Sequence, residues 1–413
     1  MSRESQLSWS LLAYHPRLYV RMMMSVVIVA TLLCGSALLK NQILHFSTRP
    51  SRLKLKTCLP RNNVAFLKTH KSASSAIQNI LFRYGDKHNL HFALPNIGNH
   101  FGGKLSFKAA MVRSSPLNIA PNIFAIHTKW DHMEVKKVMP EDTVFFTIVR
   151  EPTDLFQSLF TYSKFQEITG LSLHEYVRRV PANSSRLNGI FGYNQMSWDF
   201  GMPLEDMNNR SAIHELVKQA DEHFGLVLVM ERIDESLVLL AEYLCWELSD
   251  VLMLKVNSLR DKLKPSISEE TRQVLHQKLA PDYLLYNHFL ERFNQQVKDF
   301  GLVRMAAAVA RLQELMMELV STCNFVRKDA SELRGGQKPY SNKVDGFESG
   351  GGGSCDKYTL TEKSYINVLR KKQQRTIAEK FRQSSEESRK WTRKEVDSLI
   401  MKRLPTIINE ENK

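Results

Sequence analysis

Eight residues from Lys68 to Ser75, KTHKSASS, bring together two lysines, a histidine and four hydroxyl groups. Small residues let backbone N–H groups close around an anion where a helix begins, hydroxyls add donors, and lysines add charge without blocking entry. A phosphate or a sulfate fits such a loop. The plain alternative is a serine-rich helix cap with solvated lysines. A second stretch bears on the choice: Arg150 ends the apolar run TVFFTIV (143–149), Glu151 and Pro152 turn the chain, and Ser158 follows on a helical pattern. In a parallel sheet the strand ends share one carboxyl edge, so Arg150 and the Lys71 loop could grip two anionic groups of one ligand. An ordinary ion pair of Arg150 with Glu151 or Asp154 is the competing use.

The elements that must position these residues are legible as short buried runs. VAFLKTH (64–70), NIFAIH (122–127), TVFFTIV (143–149) and LVLVME (226–231) read as strands covered on both faces, separated by helical patterns. The fold class expected is α/β, a central parallel sheet flanked by helices. AIQNILFRYG reads as the helix after the loop, closed by Gly85, and SLVLLAEYLCW as a helix with Asp234 as its N-cap. Beyond residue 257 the chain turns mostly helical as far as about Cys323. From 331 the composition shifts: SGGGGSC (349–355) reads as a flexible linker, and the segment beyond has a basic helical pattern, with Ile366, Leu369, Ile377 and Phe381 on one side that could rest on a membrane. The expected organisation is a cytoplasmic tail 1–21, a transmembrane signal anchor 22–39, a stem 40–61, a catalytic domain 62–330, and a linker with a basic tail 331–413.

The anchor rests on eighteen uncharged residues, Met22 to Leu39, between Arg21 and Lys40, long enough to span a bilayer. Flanking charges oppose a cytoplasmic amino terminus, whereas the sequons at Asn183 and Asn209 have meaning only in a secretory compartment. Cys34 lies in the anchor. Cys58, Cys245, Cys323 and Cys355 remain, an even set allowing two disulfides in three connectivities, or four free thiols.

Over the whole chain, 413 residues with 57 Lys and Arg against 43 Asp and Glu give a charge of +14, which suits an anionic partner. With 43% apolar residues, wholesale disorder is excluded, and five cysteines are too few for a disulfide scaffold. Nucleic acid as the partner has no recognisable module to support it. Gly98 to Leu105 nearly satisfies a Walker-type phosphate loop, but Leu105 stands where the magnesium-binding hydroxyl belongs, so a surface loop is expected there.

FLKTHKSASSAIQNILFRYGDKH, FFTIVREPTDLFQSLF, FGLVLVMERIDESLVLLAEYLCWELSDV and DYLLYNHFLERFNQQV together resemble the galactose 3-O-sulfotransferases, most of all the galactosylceramide sulfotransferase branch, over about residues 58–325. The resemblance implies the sulfotransferase fold with a P-loop-like phosphosulfate loop. It also implies a single-pass type II glycoprotein of the Golgi membrane with its catalytic domain in the lumen. The activity implied is transfer of a sulfuryl group from 3′-phosphoadenosine 5′-phosphosulfate (PAPS) to the 3-hydroxyl of a terminal β-galactose, with galactosylceramide or a related sphingolipid as acceptor and PAP as product. Carried over by position, Lys68, Thr69, Lys71, Ser72, Ala73, Ser74 and Ser75 match the 5′-phosphosulfate loop, Lys71 stabilising the leaving oxygen, and Arg150 with Ser158 matches the 3′-phosphate pair.

A sugar hydroxyl needs a base, and histidine titrates in the right range. His127 is the first choice, because it ends NIFAIH beside both strand ends and HTKWDHMEV resembles a family block; His70 is the second. Trp130, Trp198 and Tyr193 could stack on galactose, and Asn194 and Asp199 in GYNQMSWDFG could bond its hydroxyls. Where the family commonly has threonine this chain has Ser72, and its acceptor-side arginine and phenylalanine are Lys129 and Trp130. The scheme calls for no metal. The expected partners are the galactose-terminated glycolipid or glycan and the membrane, with no nucleic acid, and a homodimer is compatible. Two other readings compete: a non-catalytic PAP-binding Golgi adaptor, and the same chemistry on glycoprotein glycans.

Overall fold

The computed structural model describes residues 58–113, 119–254, 266–339, 344–380, 382–383 and 385–386. The chain divides into two units, Met1–Cys58 and Leu59–Lys413. The expected anchor at 22–39, and nearly all of the stem, fall outside the described residues. Among those described, no helix is long and apolar enough to cross a membrane.

The apolar runs form one parallel sheet. Strands β1 (Val64–Leu67), β2 (Ile123–Phe124), β3 (Val144–Val149) and β4 (Leu226–Val229) lie in the order β2-β1-β3-β4. Register sets Val64 opposite both Ile123 and Val144, and Phe146 opposite Leu226. β1 is buried throughout, as continuous apolar runs require when helices cover both faces. The connection from β1 runs to one side and that from β3 to the other, so their adjoining carboxyl ends form a switch point, the place where open α/β sheets bind ligands. The Lys68–Ser75 loop leaves β1 there, and Arg150 leaves β3.

Helix α1 (Ser74–Lys87) follows the loop. It runs two residues past Gly85, the end expected from the sequence. Gly85 is there for contact, since a Cβ on it would lie 2.5 Å from the Phe92 ring. Pro152, the first residue of helix α2 (Pro152–Tyr162), starts that helix directly after Arg150 and Glu151. Three further helices frame the site and core: α3 (Gln195–Asp199), α4 (Ile233–Leu244) and α5 (Ala280–Phe300). Asp234, expected as an N-cap, lies in the first turn of α4, and Arg232 occupies the cap.

Beyond α6 (Leu302–Cys323) the structure departs from the expected linker and tail. Strands β5 (Phe325–Asp329) and β6 (Asp345–Ser349) pair antiparallel. Cys323 is disulfide-bonded to Cys355, so the glycine run between β6 and Cys355 is held at both ends. Cys58 and Cys245 are disulfide-bonded as well. Helix α7 (residues 362–380) then buries Tyr365, Ile366 and Leu369 in the main core. The apolar side expected to meet a membrane is thus turned inward at Ile366 and Leu369; Phe381 lies outside the described residues.

Docking of this segment explains an oddity of α1. Asn79, Arg83 and Asp86 fall at steps of four and three, a spacing that reads as a solvent face, yet all three are buried. Asn79 donates to the Lys357 carbonyl at 2.9 Å, the Arg83 guanidinium lies 3.8 Å from the Tyr358 ring, and Asp86 pairs with Lys357 at 2.5 Å and Lys372 at 2.6 Å. Buried polar groups need partners, and the C-terminal segment supplies them.

Candidate active site

The loop after β1 is braced from within. Thr69 Oγ1 donates to the Ile148 carbonyl at 2.7 Å and meets Ser72 Oγ at 2.6 Å, and Ser74 Oγ donates to the Thr69 carbonyl. The hydroxyls of Thr69, Ser72 and Ser74 therefore shape the loop, where the sequence reading had them as donors to the anion. Lys71 and Ala73 are left-handed, with φ of 57° and 62°, which is costly for residues with a Cβ. Ala73 stands at the N-cap of α1 and gives it no side-chain cap. Among the described residues the backbone N–H groups of Lys71 to Ser75 have no partner, so the positive end of a fourteen-residue helix is open to an anion.

Cations gather around that opening. Arg150 Nη1 donates to the Lys71 carbonyl at 2.8 Å, so the two stretches meet at one rim. Arg150 Nε is buried and has no partner among the described residues. Lys71 Nζ sits 3.6 Å over the Tyr162 ring, and Ser158 lies one helical turn before Tyr162 on the same face of α2. Burial pushes the Lys71 amine down to about 7, with Arg150 and Lys68 adding repulsion. A bound anion would reverse that repulsion, so these groups fit a ligand with separated anionic groups.

Behind the loop lies a relay of side chains. Lys68 is fully buried, and its ammonium meets three acceptors: Ser75 Oγ at 3.1 Å, His127 Nε2 at 2.5 Å and Glu362 Oε2 at 3.0 Å. His127 Nδ1 donates to the Lys68 carbonyl at 3.1 Å, so Nε2 is the nitrogen left to accept from Lys68. Burial first, and then the Lys68 charge, hold His127 well below its ordinary value and therefore neutral. Its ring stacks on His70 at 4.4 Å and on His100 at 5.3 Å.

His70 is held differently. The Asp199 carboxylate accepts from the His70 backbone N–H at 2.6 Å and from Nδ1 at 2.7 Å, and Gln195 Nε2 donates to the same carboxylate at 3.0 Å. Nε2 of His70 has no partner among the described residues. Asp199 is itself fixed by its backbone, since its carbonyl accepts from Trp130 N–H at 2.9 Å. Close by, Gly201 has φ of 107° and leaves 2.5 Å between the Trp130 carbonyl and the place a Cβ would take.

The five acceptor-side candidates lie inside the protein. Trp130 is buried among Phe124, Phe145 and Phe224 and presents no face to a sugar. Asn194 is buried and joins α3 to the next helices, donating to the Lys278 carbonyl at 3.0 Å and accepting from Asp282 N–H at 3.4 Å. Asp199, with no exposed surface, orients His70. Trp198 and Tyr193 are buried too. Asn183 and Asn209 are exposed, and Asn209 caps a helix through its oxygen, accepting from Ser211 N–H at 3.1 Å.

Sequence reasoning missed Glu362, His100 and Gln195. Gln195 stands four residues before Asp199 on one helix face, a readable signal. His100 lies in the glycine loop set aside as a surface turn. That loop bonds alongside His127, with Phe101 N–H donating to the His127 carbonyl at 2.8 Å.

The galactose-3-O-sulfotransferase family model matches residues 9–367. The chain belongs to this family. It is 34% identical to mouse galactose-3-O-sulfotransferase 3 over 76% of its length and 78% of that protein's, and 32% identical to the human form over 84% and 89%. Human galactosylceramide sulfotransferase is 35% identical over 64% of this chain and 65% of its own length. The α/β sheet expected from the sequence agrees with this membership.

Proposed function

We propose that the protein transfers a sulfuryl group from PAPS to the 3-hydroxyl of a terminal β-galactose. The observation that carries this is the meeting of the open N–H groups at Lys71–Ser75 with Arg150 at one sheet edge, beside a histidine oriented by a carboxylate. PAPS, when bound, supplies a sulfuryl group on a good leaving group. The loop N–H groups would hold its 5′ end, Arg150 and Ser158 would hold its 3′-phosphate, and the Lys71 ammonium would offset charge on the leaving oxygen.

The base in this reading is His70, not the His127 favoured from sequence. Asp199 fixes the Nδ1–H tautomer of His70, leaves Nε2 to take the hydroxyl proton, and stabilises the imidazolium that forms. Nε2 of His127 already accepts from Lys68, which suits a neutral ring that orients its neighbour. His127 is then a positioning residue, stacked on His70.

Galactosylceramide is the acceptor we put first, and glycoprotein glycans second. The relatives named galactose-3-O-sulfotransferase 3, a name that gives the sugar and not its carrier, match over a larger share of this chain than galactosylceramide sulfotransferase does. We place the catalytic unit in the Golgi lumen behind a signal anchor at 22–39, a reading supported by disulfides and by exposed sequons. Labelled PAPS offered with galactosylceramide, lactosyl and lactosaminyl acceptors tests the proposal. Sulfate should appear on the galactose 3-hydroxyl of at least one; glycosylated, folded protein that labels none would overturn it.

A further inference from the structure

Glu362 is the one acidic side chain bonded to Lys68 among the described residues, and it comes from 294 positions along the chain. Its ion pair with Lys68 is 3.0 Å long, with no exposure of the lysine side chain and 14% of the glutamate's. The other oxygen, Oε1, accepts from Gln78 on α1 at 3.4 Å, so the carboxylate is tied to the helix that starts at the donor loop. The C-terminal segment that delivers it is anchored by the Cys323–Cys355 disulfide, by Asp86 with Lys357 and Lys372, and by Tyr365 against Phe82.

We propose that Glu362 is a positioning residue of the transfer site: it keeps the buried Lys68 ammonium charged, and through it fixes both Ser75 in the donor loop and His127 beneath His70. This rests on the sulfotransferase reading above. An ammonium has three N–H donors, and here each has one acceptor. Two of those acceptors, Ser75 and His127, belong to the site, and only the third brings a full negative charge into contact. The groups facing Lys68 are Glu362 from α7, His127 beyond β2, His100 from the loop after Gly98 and Lys71 from its own loop, with the Asp199 charge more distant. Burial pulls the Lys68 amine down and Glu362 opposes it most, with Asp199 adding less. Without Glu362 the amine loses its proton as pH rises. A neutral amine has two N–H donors for three acceptors, so one of the contacts to Ser75, His127 and residue 362 is lost and the support of the imidazole stack weakens.

The test is Glu362→Gln in the full glycosylated enzyme, with kcat measured from pH 6 to 8.5 and PAP binding measured alongside. Glutamine keeps the shape and the oxygen for Gln78 but removes the charge. The expected result is a fall in kcat of about tenfold or more that grows as pH rises across this range. Glu362→Asp should recover part of the loss at high pH. Asp86→Asn loosens the same docked segment away from Lys68, and it should lower Tm without tilting the pH profile. A Glu362→Gln enzyme with the wild-type pH profile, or one whose loss is uniform with pH and matched by Glu362→Asp, overturns the proposal. Wild-type enzyme that binds PAP and transfers no sulfate contradicts the sulfotransferase reading instead, so the two failures are told apart.

Discussion

The Lys68–Ser75 loop and the Asn194–Asp199 segment touch through His70 and Asp199, and both are rich in small and polar residues, yet they are built in opposite ways. In the loop, side-chain hydroxyls turn inward to brace the turn, and the backbone N–H groups of Lys71 to Ser75 are left open. In the segment every polar side chain is engaged: Asn194 with Lys278 and Asp282, Gln195 with Arg186 and Asp199, and Ser197 with Asp282. Burial pushes Asp282 up to about 6, even with three donors from Met196 and Ser197 on it. A surface made to receive an anion keeps donors unsatisfied, whereas a brace satisfies them all. Residue type alone does not separate the two.

The sharpest way to break this comparison is at the pair that joins its halves. His70→Ala should lower kcat by about a thousandfold while leaving PAP affinity within about twofold, as expected for loss of a general base. Single-turnover sulfate transfer with a PAP titration checks this. A larger loss in His127→Gln than in His70→Ala would reverse the assignment of the base.

Lys71 tests the open half. Lys71→Met should cost about a hundredfold in kcat through lost stabilisation of the leaving oxygen. The pH dependence of binding follows from the same residue. Its amine, pushed down to about 7 in the free protein, regains a proton beside a bound anion. PAP affinity should therefore be fully present below pH 7 and fall by up to about tenfold per pH unit above it. Calorimetry across that range should show the slope in wild type and its loss in Lys71→Met.

The smallest effect belongs to the brace. Asn194→Ala should destabilise the fold by about 1 kcal/mol, from the loss of its two hydrogen bonds, with kcat and KM unchanged. A fall in acceptor affinity without a fall in Tm would return Asn194 to the sugar site.

Much of the fold was legible because buried parallel strands are continuous apolar runs: VAFL, VFFTIV and LVLV each became a strand, and each delivers a loop to the same edge. The donor loop was legible for the same reason, since it directly follows β1. What escaped were contacts set by tertiary packing. Glu362 lies past a glycine run that reads as a linker, and nothing local marks the disulfide that closes it. Trp130, Asn194 and Asp199 were chosen for what their side chains can bond, and sequence does not say whether a polar atom finds its partner inside or outside. Even the stripe of Asn79, Arg83 and Asp86 on α1 gives no clue, since opposite the apolar face of Ile77, Ile80 and Leu81 it reads as a solvent face.

The central claim is that Arg150 and the Lys71 loop hold opposite ends of one donor, and the measurement closest to it compares two ligands on two proteins. Calorimetry should show wild type binding PAP about thirtyfold more tightly than adenosine 5′-phosphate, which lacks the 3′-phosphate, and Arg150→Met binding the two alike. If Arg150→Met weakened both ligands equally and kept the preference for PAP, Arg150 would be bracing the Lys71 carbonyl alone, and the account of the site would be contradicted.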